Sequence, residues 1–267
     1  MRTALLIALA ACEVNTTPQP AVDASLGACV PNRDGVITAA ELPIALGATL
    51  PFYAGSNRSV VLTAQNGIYD LSMQSQSDTV VQVGPVALTT QWYAASFPMG
   101  QFVVDAGSGL DGIYHQDETA LWLDGTASHD EMPAAGKTLV QYTAPIALLR
   151  FPLQDGESYS ATATFSNTTV DGLPLQGTDT VDVDVTLGQR LDVPYVQFSP
   201  ILRVRTNVTR TPSTGSPIVN KRTTLFMFEC FGEVARAESN PDEPNADFTT
   251  AAYLRRYALG QQAGAMQ

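Results

Sequence analysis

The sequence predicts a mainly β protein: an antiparallel meander forming a curved sheet, half-barrel or sandwich, followed by a short C-terminal helix. Three observations carry this expectation. Apolar and polar residues alternate with a period of two along several stretches, the spacing of strands with one buried face. Charged residues make up only 15% of the chain, against 20 Gly, 17 Pro and many Ser and Thr, a composition of strands and turns rather than of charged helices. No amphipathic helix separates successive strand candidates, so parallel crossovers are not expected. With 267 residues, 45% of them hydrophobic, the chain is long and apolar enough to bury a core, which argues against disorder. Its 26 acidic and 14 basic residues leave a formal charge of -12, which repels phosphate backbones, so no nucleic-acid partner is expected.

Met1-Arg2 leads into an apolar run from Ala4 to Ala11. A run of about eight residues suits the core of a signal peptide and falls far short of the roughly 20 needed to span a bilayer. It ends in Leu9-Ala10-Ala11-Cys12, which resembles the lipobox of bacterial lipoproteins. The resemblance implies cleavage before Cys12, a diacylglycerol on its thiol, and a membrane partner reached through that acyl anchor. Glu13, rather than Asp, after the cysteine implies an outer-membrane lipoprotein, periplasmic or surface-facing. Residues 1–11 are therefore expected to be a signal peptide. Residues 12–28, with Asn15-Thr16-Thr17-Pro18-Gln19-Pro20, are expected to be a flexible tether.

With Cys12 assigned to lipid, Cys29 and Cys230 remain as a pair in a compartment where disulfides persist. A bridge between them is expected, two buried thiols being the alternative. Residues 30–42 read Val-Pro-Asn-Arg-Asp-Gly-Val-Ile-Thr-Ala-Ala-Glu-Leu, which resembles the calcium loop of EF-hand and dockerin motifs. The resemblance implies Asn32, Asp34, Val36 through its carbonyl, Thr38 and Glu41 as ligands of Ca2+, with Gly35 at the sharp turn. The first-position acid is replaced by Val30, and Pro43 stops the helix that would follow. A second reading needs no metal: Thr38 and Glu41 form a capping box at the head of a short helix. Residues 29–45 are expected to form this segment.

An antiparallel β domain is expected over residues 46–239. Short strand candidates lie at 59–64, 67–73, 79–88, 102–105 and 120–123. Tyr159, Ala161, Ala163 and Phe165 alternate with Ser160, Thr162 and Thr164; Val181, Val183, Val185 and Leu187 alternate with Asp182 and Asp184. Val170-Asp171-Gly172, with Gly177 beyond, marks a hairpin with a long loop between these runs. Leu202, Val204, Thr206 and Val208 form the next strand, and residues 225–231 return as an aromatic strand holding Cys230, for roughly ten to twelve strands in all. Residues 240–267 are expected to be a linker and tail, with Asp247 capping a helix over residues 248–259.

The phrases Tyr142-Thr143-Ala144-Pro145, Phe151-Pro152-Leu153-Gln154-Asp155-Gly156 and Val193-Pro194-Tyr195, each leading into a strand, resemble the curved-sheet lipoproteins of the LolA/LolB type. That resemblance implies a half-barrel over a cavity that holds acyl chains.

Catalytic patterns are sparse. His115-Gln116-Asp117-Glu118 and His129-Asp130-Glu131 place acids beside both histidines, a set able to hold a divalent metal and activate water if the two clusters converge. Gly107-Ser108-Gly109-Leu110-Asp111-Gly112 matches a dinucleotide fingerprint in letters only, since no helix follows it. Arg203 and Arg205 share a strand face suited to an anionic ligand or to water. The expected function is that of a non-enzymatic cell-envelope lipoprotein with a binding or scaffolding role and weak calcium binding in its N-terminal loop. Its partners would be the membrane, a small apolar or anionic ligand, or an envelope protein. The alternatives are a lipid or apolar-ligand carrier with a LolA/LolB-like cavity and a periplasmic metal-dependent hydrolase using the His115 and His129 clusters. The anchor is checked by growing expressing cells with labelled palmitate: label on the wild type and none on Cys12→Ser is the expected outcome, and an unlabelled wild type overturns it.

Overall fold

The computed structural model describes residues 29–107, 109–214 and 219–260. The signal peptide, the tether and Cys12 lie outside the described residues. Sixteen strands account for most of the described residues. They are β1 (Leu50–Ser59), β2 (Ile68–Asp70), β3 (Thr79–Val83), β4 (Val86–Ala87), β5 (Phe102–Gly107), β6 (Leu110–Gln116), β7 (Ala120–Ser128) and β8 (Leu139–Arg150). Then follow β9 (Ser158–Val170), β10 (Leu173–Gly188), β11 (Arg190–Val193), β12 (Val196–Phe198), β13 (Ile201–Pro212), β14 (Val219–Phe228), β15 (Gly232–Glu238) and β16 (Thr250–Tyr257). The described helices are three 3-10 turns of three residues each, Ala39–Glu41, Leu88–Thr90 and Ala94–Ser96, and none is long enough to cross a membrane.

Thirteen strands form one sheet in the order β3-β1-β16-β15-β14-β13-β10-β9-β8-β7-β6-β5-β4, and each neighbouring pair is antiparallel. Its two edges, β3 and β4, are consecutive in the chain and separated only by Gly84 and Pro85. Such a link spans at most about 10 Å, so the sheet must curl until its edges nearly meet. The expected curved sheet is thus an almost closed barrel. Residues 45–48 cover the seam: Gly47 N donates to Pro85 O at 2.8 Å, and a Cβ on Gly84 would sit 2.0 Å from Ala48 O. Only glycine permits that approach.

The period-two strands follow their pattern except at the end of β10, where Leu187, expected on the buried face, is 43% exposed. Ala163, Phe165, Val181, Val183 and Val185 are buried, while Ser160, Thr162, Thr164 and Asp182 are exposed on the opposite face. Along β9 and β10 the barrel is therefore apolar inside and polar outside, the reverse of a membrane-spanning barrel. Inside, Val181, Val183, Leu202, Val204, Leu225 and Met227 pack with Ile146 and Leu149. Outside, the small sheet β12-β11-β2 brings Tyr69, Leu191 and Phe198 against Phe226, Phe228 and Leu254. The turns at residues 88–97 cover Val103, Ile113 and Ala127 with Leu88, Tyr93 and Phe97.

Three expectations are corrected. The helix expected over residues 248–259 is instead β16, which pairs with both β1 and β15. Tyr253 and Tyr257 suggested a helical stripe, but the pairing offered by two flanking strands outweighs local propensity. The candidate at 59–64 is displaced, because the strand there is β1, which ends at Ser59. The long loop before residue 173 is a two-residue turn: Asp171 and Gly172 have φ of 48° and 77°, the left-handed pair that tight hairpins use, and Gly177 sits beside a bulge.

Residues 29–45 close one end of the barrel. Ile37 exchanges backbone hydrogen bonds with Leu153 at 2.9 and 2.8 Å, and Ile37 and Leu42 enter the inner core. Arg33 N donates to Glu229 Oε2 at 2.7 Å, Cys230 N to Glu41 O at 2.8 Å, and Gln116 Nε2 to Ala39 O at 3.1 Å and Leu42 O at 3.2 Å. Cys29 and Cys230 are bridged, with Cα atoms 5.5 Å apart across a sequence separation of 201. Restricting a loop of that length disfavours the unfolded chain by up to about 5 kcal/mol. Replacing both cysteines with alanine is expected to lower the free energy of unfolding by several kcal/mol, toward that bound, read from the urea midpoint at unchanged slope; an unmoved midpoint would show that the bridge does not stabilise the fold.

Candidate functional site

The inner face forms a cavity of about 300 Å3 at the end closed by residues 29–45. Leu42, Phe52, Phe102, Leu149, Met227 and Phe231 give it apolar walls, and Cys230 lies on its rim. The strand register places charge on its floor. Met227 lies opposite Glu233, Leu225 opposite Arg236, Arg236 opposite Arg255, and Ala54 opposite Arg255, so three charged side chains share the inner face. A larger groove of about 750 Å3 lies outside the barrel beside Asn66, Gln74 and Arg190. The inner cavity is the better candidate, because its lining is the more apolar and a few polar groups converge on it, the usual form of a small-molecule site.

The floor is a linked network. Glu233 accepts from Arg236 Nε at 3.0 Å and from Arg255 Nε. Arg236 Nη1 reaches Glu238 Oε1 at 3.3 Å, and Lys221 Nζ lies 2.5 Å from Glu238 Oε2. Arg255 Nη1 donates to Asp105 O at 3.3 Å, and its guanidinium lies 5.6 Å from the centre of the Phe52 ring. Burial alone would raise the Glu233 carboxyl, but Arg236 and Arg255 outweigh it and hold the pKa below the usual glutamate value. Burial pulls the Arg236 pKa down, and Glu233 and Glu238 more than reverse this, so it stays charged. Tyr114, stacked on Phe102 at 5.7 Å, lines the same space; burial raises its pKa, so the hydroxyl keeps its proton.

The EF-hand-like residues come together through hydrogen bonds to one another. Asn32 Nδ2 donates to Asp34 Oδ2 and Glu41 Oε1, both at 3.0 Å, so the amide sits between the two carboxylates. Asn32 Oδ1 accepts from Asp34 N at 2.9 Å, and Asp34 Oδ1 from Val36 N at 2.8 Å. Glu41 Oε2 accepts from Thr38 N at 3.0 Å and Thr38 Oγ1 at 2.8 Å, the reciprocal half of the capping box. Val30, at the vacant first position, is 75% exposed. Asn32, Asp34, Thr38, Glu41 and the Val36 carbonyl offer oxygens for a hard cation, but only two carry charge, and both already accept from the Asn32 amide.

The histidines do not converge. His115 pairs with Asp124 at 2.8 Å and stacks on Trp122, whereas His129 Nε2 lies 2.8 Å from Asp111, which also accepts from Tyr93 Oη at 2.5 Å. His115 lies across from Trp122 and Leu110 across from Ser128 at opposite ends of the β6–β7 ladder, a spacing of roughly 17 Å along the strand. Burial raises the Asp111 pKa, partly offset by Tyr93 and His129. Among the described residues no group of three His, Cys, Asp or Glu side chains is placed to hold a metal. Arg203 and Arg205 lie on the outer face, where both pair with Asp247; Arg203 also donates to Leu62 O at 2.7 Å, and Arg205 to Asp184 at 2.6 Å. The acid expected to cap a helix thus occupies the place of an anionic ligand. Gly107 and Gly109 flank the β5–β6 turn, and strand β6 follows rather than a helix.

Sequence reasoning missed Glu233, Arg236, Arg255 and Tyr114. The signal was present, because Glu233 and Arg236 follow the aromatic run 225–231 within a stretch otherwise made of Val and Ala. The loop geometry predicts that wild-type protein gains little thermal stability from millimolar calcium, whereas Asn32→Asp, which replaces the bridging donor with a third carboxylate, gains a calcium-dependent rise in Tm. A melting series with and without chelator checks this; a clear calcium response of the wild type would show that a cation displaces the amide.

Compared with known proteins, the chain matches no family model, no curated protein and no solved structure.

Proposed function

We propose that this protein is a non-enzymatic lipoprotein of the outer membrane that binds a small apolar ligand inside its barrel. The cavity is the observation that carries the proposal. At about 300 Å3 it falls at the lower end of small-molecule sites, roughly 300–1,000 Å3. Its walls are side chains whose burial against a ligand is favourable at about 25 cal/mol per Å2 of apolar surface. Residues 42–48 and the Gly84-Pro85 link frame its mouth. These irregular segments can part without breaking a strand pairing in the main sheet. The disulfide at the rim keeps residues 29–45 from leaving altogether. The polar outer face of β9 and β10 suits a body standing in water at the end of a tether. This reading joins the envelope-lipoprotein expectation to the carrier alternative. It leaves the scattered histidines as local structure, each held by its own carboxylate.

Titration with N-phenyl-1-naphthylamine tests the proposal. Wild-type protein is expected to bind the dye saturably with a blue-shifted rise in emission, and Met227→Trp, which fills the cavity, to weaken binding about tenfold, equivalent to 1.4 kcal/mol, at unchanged circular dichroism. Absence of saturable binding, or binding indifferent to a filled cavity, would sink it.

A further inference from the structure

We propose that the ligand is an amphipathic carboxylate, such as a free fatty acid, whose head group is held by Arg236, Arg255 and the Tyr114 hydroxyl while its chain runs along the apolar walls toward the mouth. This rests on the cavity reading and adds the head-group chemistry.

Donors without acceptors provide the first argument. Among the described residues, Arg236 spends Nε on Glu233 and Nη1 on Glu238, and Arg255 spends Nε on Glu233 and Nη1 on the Asp105 carbonyl. Nη2 of both guanidiniums and the Tyr114 hydroxyl have no hydrogen-bond partner there, and all three residues line the cavity. None of the three is a buried orphan; each opens onto the cavity, where a group that brings only acceptors is its natural complement. A carboxylate is such a group, and its planar pair of oxygens matches guanidinium geometry.

Charge provides the second. Lys221, Arg236 and Arg255 contribute three positive charges to the network, and Glu233 and Glu238 two negative ones, leaving an excess of one. Asp105 does not balance it: its carboxylate faces outward, 3.6 Å from His129 and 2.7 Å from Gly107 N, and only its carbonyl reaches Arg255. The excess resides on Lys221, which is 35% exposed and lies outside the cavity lining, so it adds a net positive field to a floor whose own arginines and glutamates balance, and a bound anion complements that field where a cation does not. The formal charge of the whole chain is -12, so this inner positive region is local and does not follow from bulk attraction of anions.

Depth provides the third. Arg255 and Arg236 sit about two residues further along their strands than the rim positions Phe52 and Met227, which face the mouth. A head group on the floor therefore leaves the chain pointing outward between Phe52, Leu149 and Met227.

The test displaces the bound dye with dodecanoate, dodecanol and dodecyltrimethylammonium, which share a chain and differ in head charge. Dodecyl phosphate is a fourth arm that separates a carboxylate from a lipid-type phosphate. Expected are dodecanoate binding about tenfold or more tighter than dodecanol, the cation weakest, and dodecyl phosphate below dodecanoate. Tyr114→Phe should lower the dodecanoate-to-dodecanol affinity ratio severalfold, and Arg255→Met should abolish the preference. If Arg255→Met does not fold, the wild-type series and Tyr114→Phe decide. Dye binding with equal displacement by dodecanoate and dodecanol overturns the head-group inference and leaves the cavity standing. Preference for the phosphate replaces the carboxylate, and failure of the dye to bind overturns both.

Discussion

The edges of the main sheet must meet, and most of this architecture follows from that constraint. An open sheet of thirteen strands would expose two rows of unpaired backbone groups, which is both costly and prone to pairing with another chain. Here β3 and β4 are joined through Gly84-Pro85, so the sheet curls on itself and the covering segment at 45–48 seals the seam. Curling creates an interior, and that interior needs an end-cap. Residues 29–45 supply one through Ile37, Leu42 and the bridge at Cys29.

Strand β16 shows how closure and charge are linked. It fills the gap between β1 and β15, and its adjacent Arg255 and Arg256 necessarily point to opposite faces. Each is 2% exposed. Arg256 meets Asp78 and backbone carbonyls at Leu71 and Met73 outside the barrel, and Arg255 meets Glu233 within it. Buried pairs of this kind add little net stability over apolar packing, but removal of one partner strands a charge and costs about 3–5 kcal/mol. On the outer face the pair anchors the loop before β3. On the inner face it provides the polar end of an otherwise apolar space, which is where the architecture becomes relevant to binding.

Legibility in the sequence followed the number of covered faces. β9 and β10 have a water-facing side, so their alternation is clean and they were readable from residues such as Val181-Asp182-Val183-Asp184. β1 and β16 are covered inside by the cavity walls and outside by Tyr69, Leu71 and Phe198, so no alternation survives and Pro51, Gly55 and the alanines obscured them. The EF-hand-like residues were readable as a local group because they lie within ten positions of one another and satisfy each other directly. Whether the two histidine clusters converge was open in the sequence, because sequence carries no distance.

The sequence by itself determined that β9 and β10 have a wet face, that the chain reverses at Val170-Asp171-Gly172, and that a metal-free capping box is available to Thr38 and Glu41, because each of these depends on residues close together in the chain. Only the tertiary structure decided that Glu233 meets Arg255, that Tyr114 joins them, and that Asp247 neutralises Arg203 and Arg205 instead of capping a helix. Those partners are brought together by strand order and register. Which strand lies beside which is set by closing the whole sheet at once, a balance of burial and backbone pairing over the entire chain that no local pattern encodes.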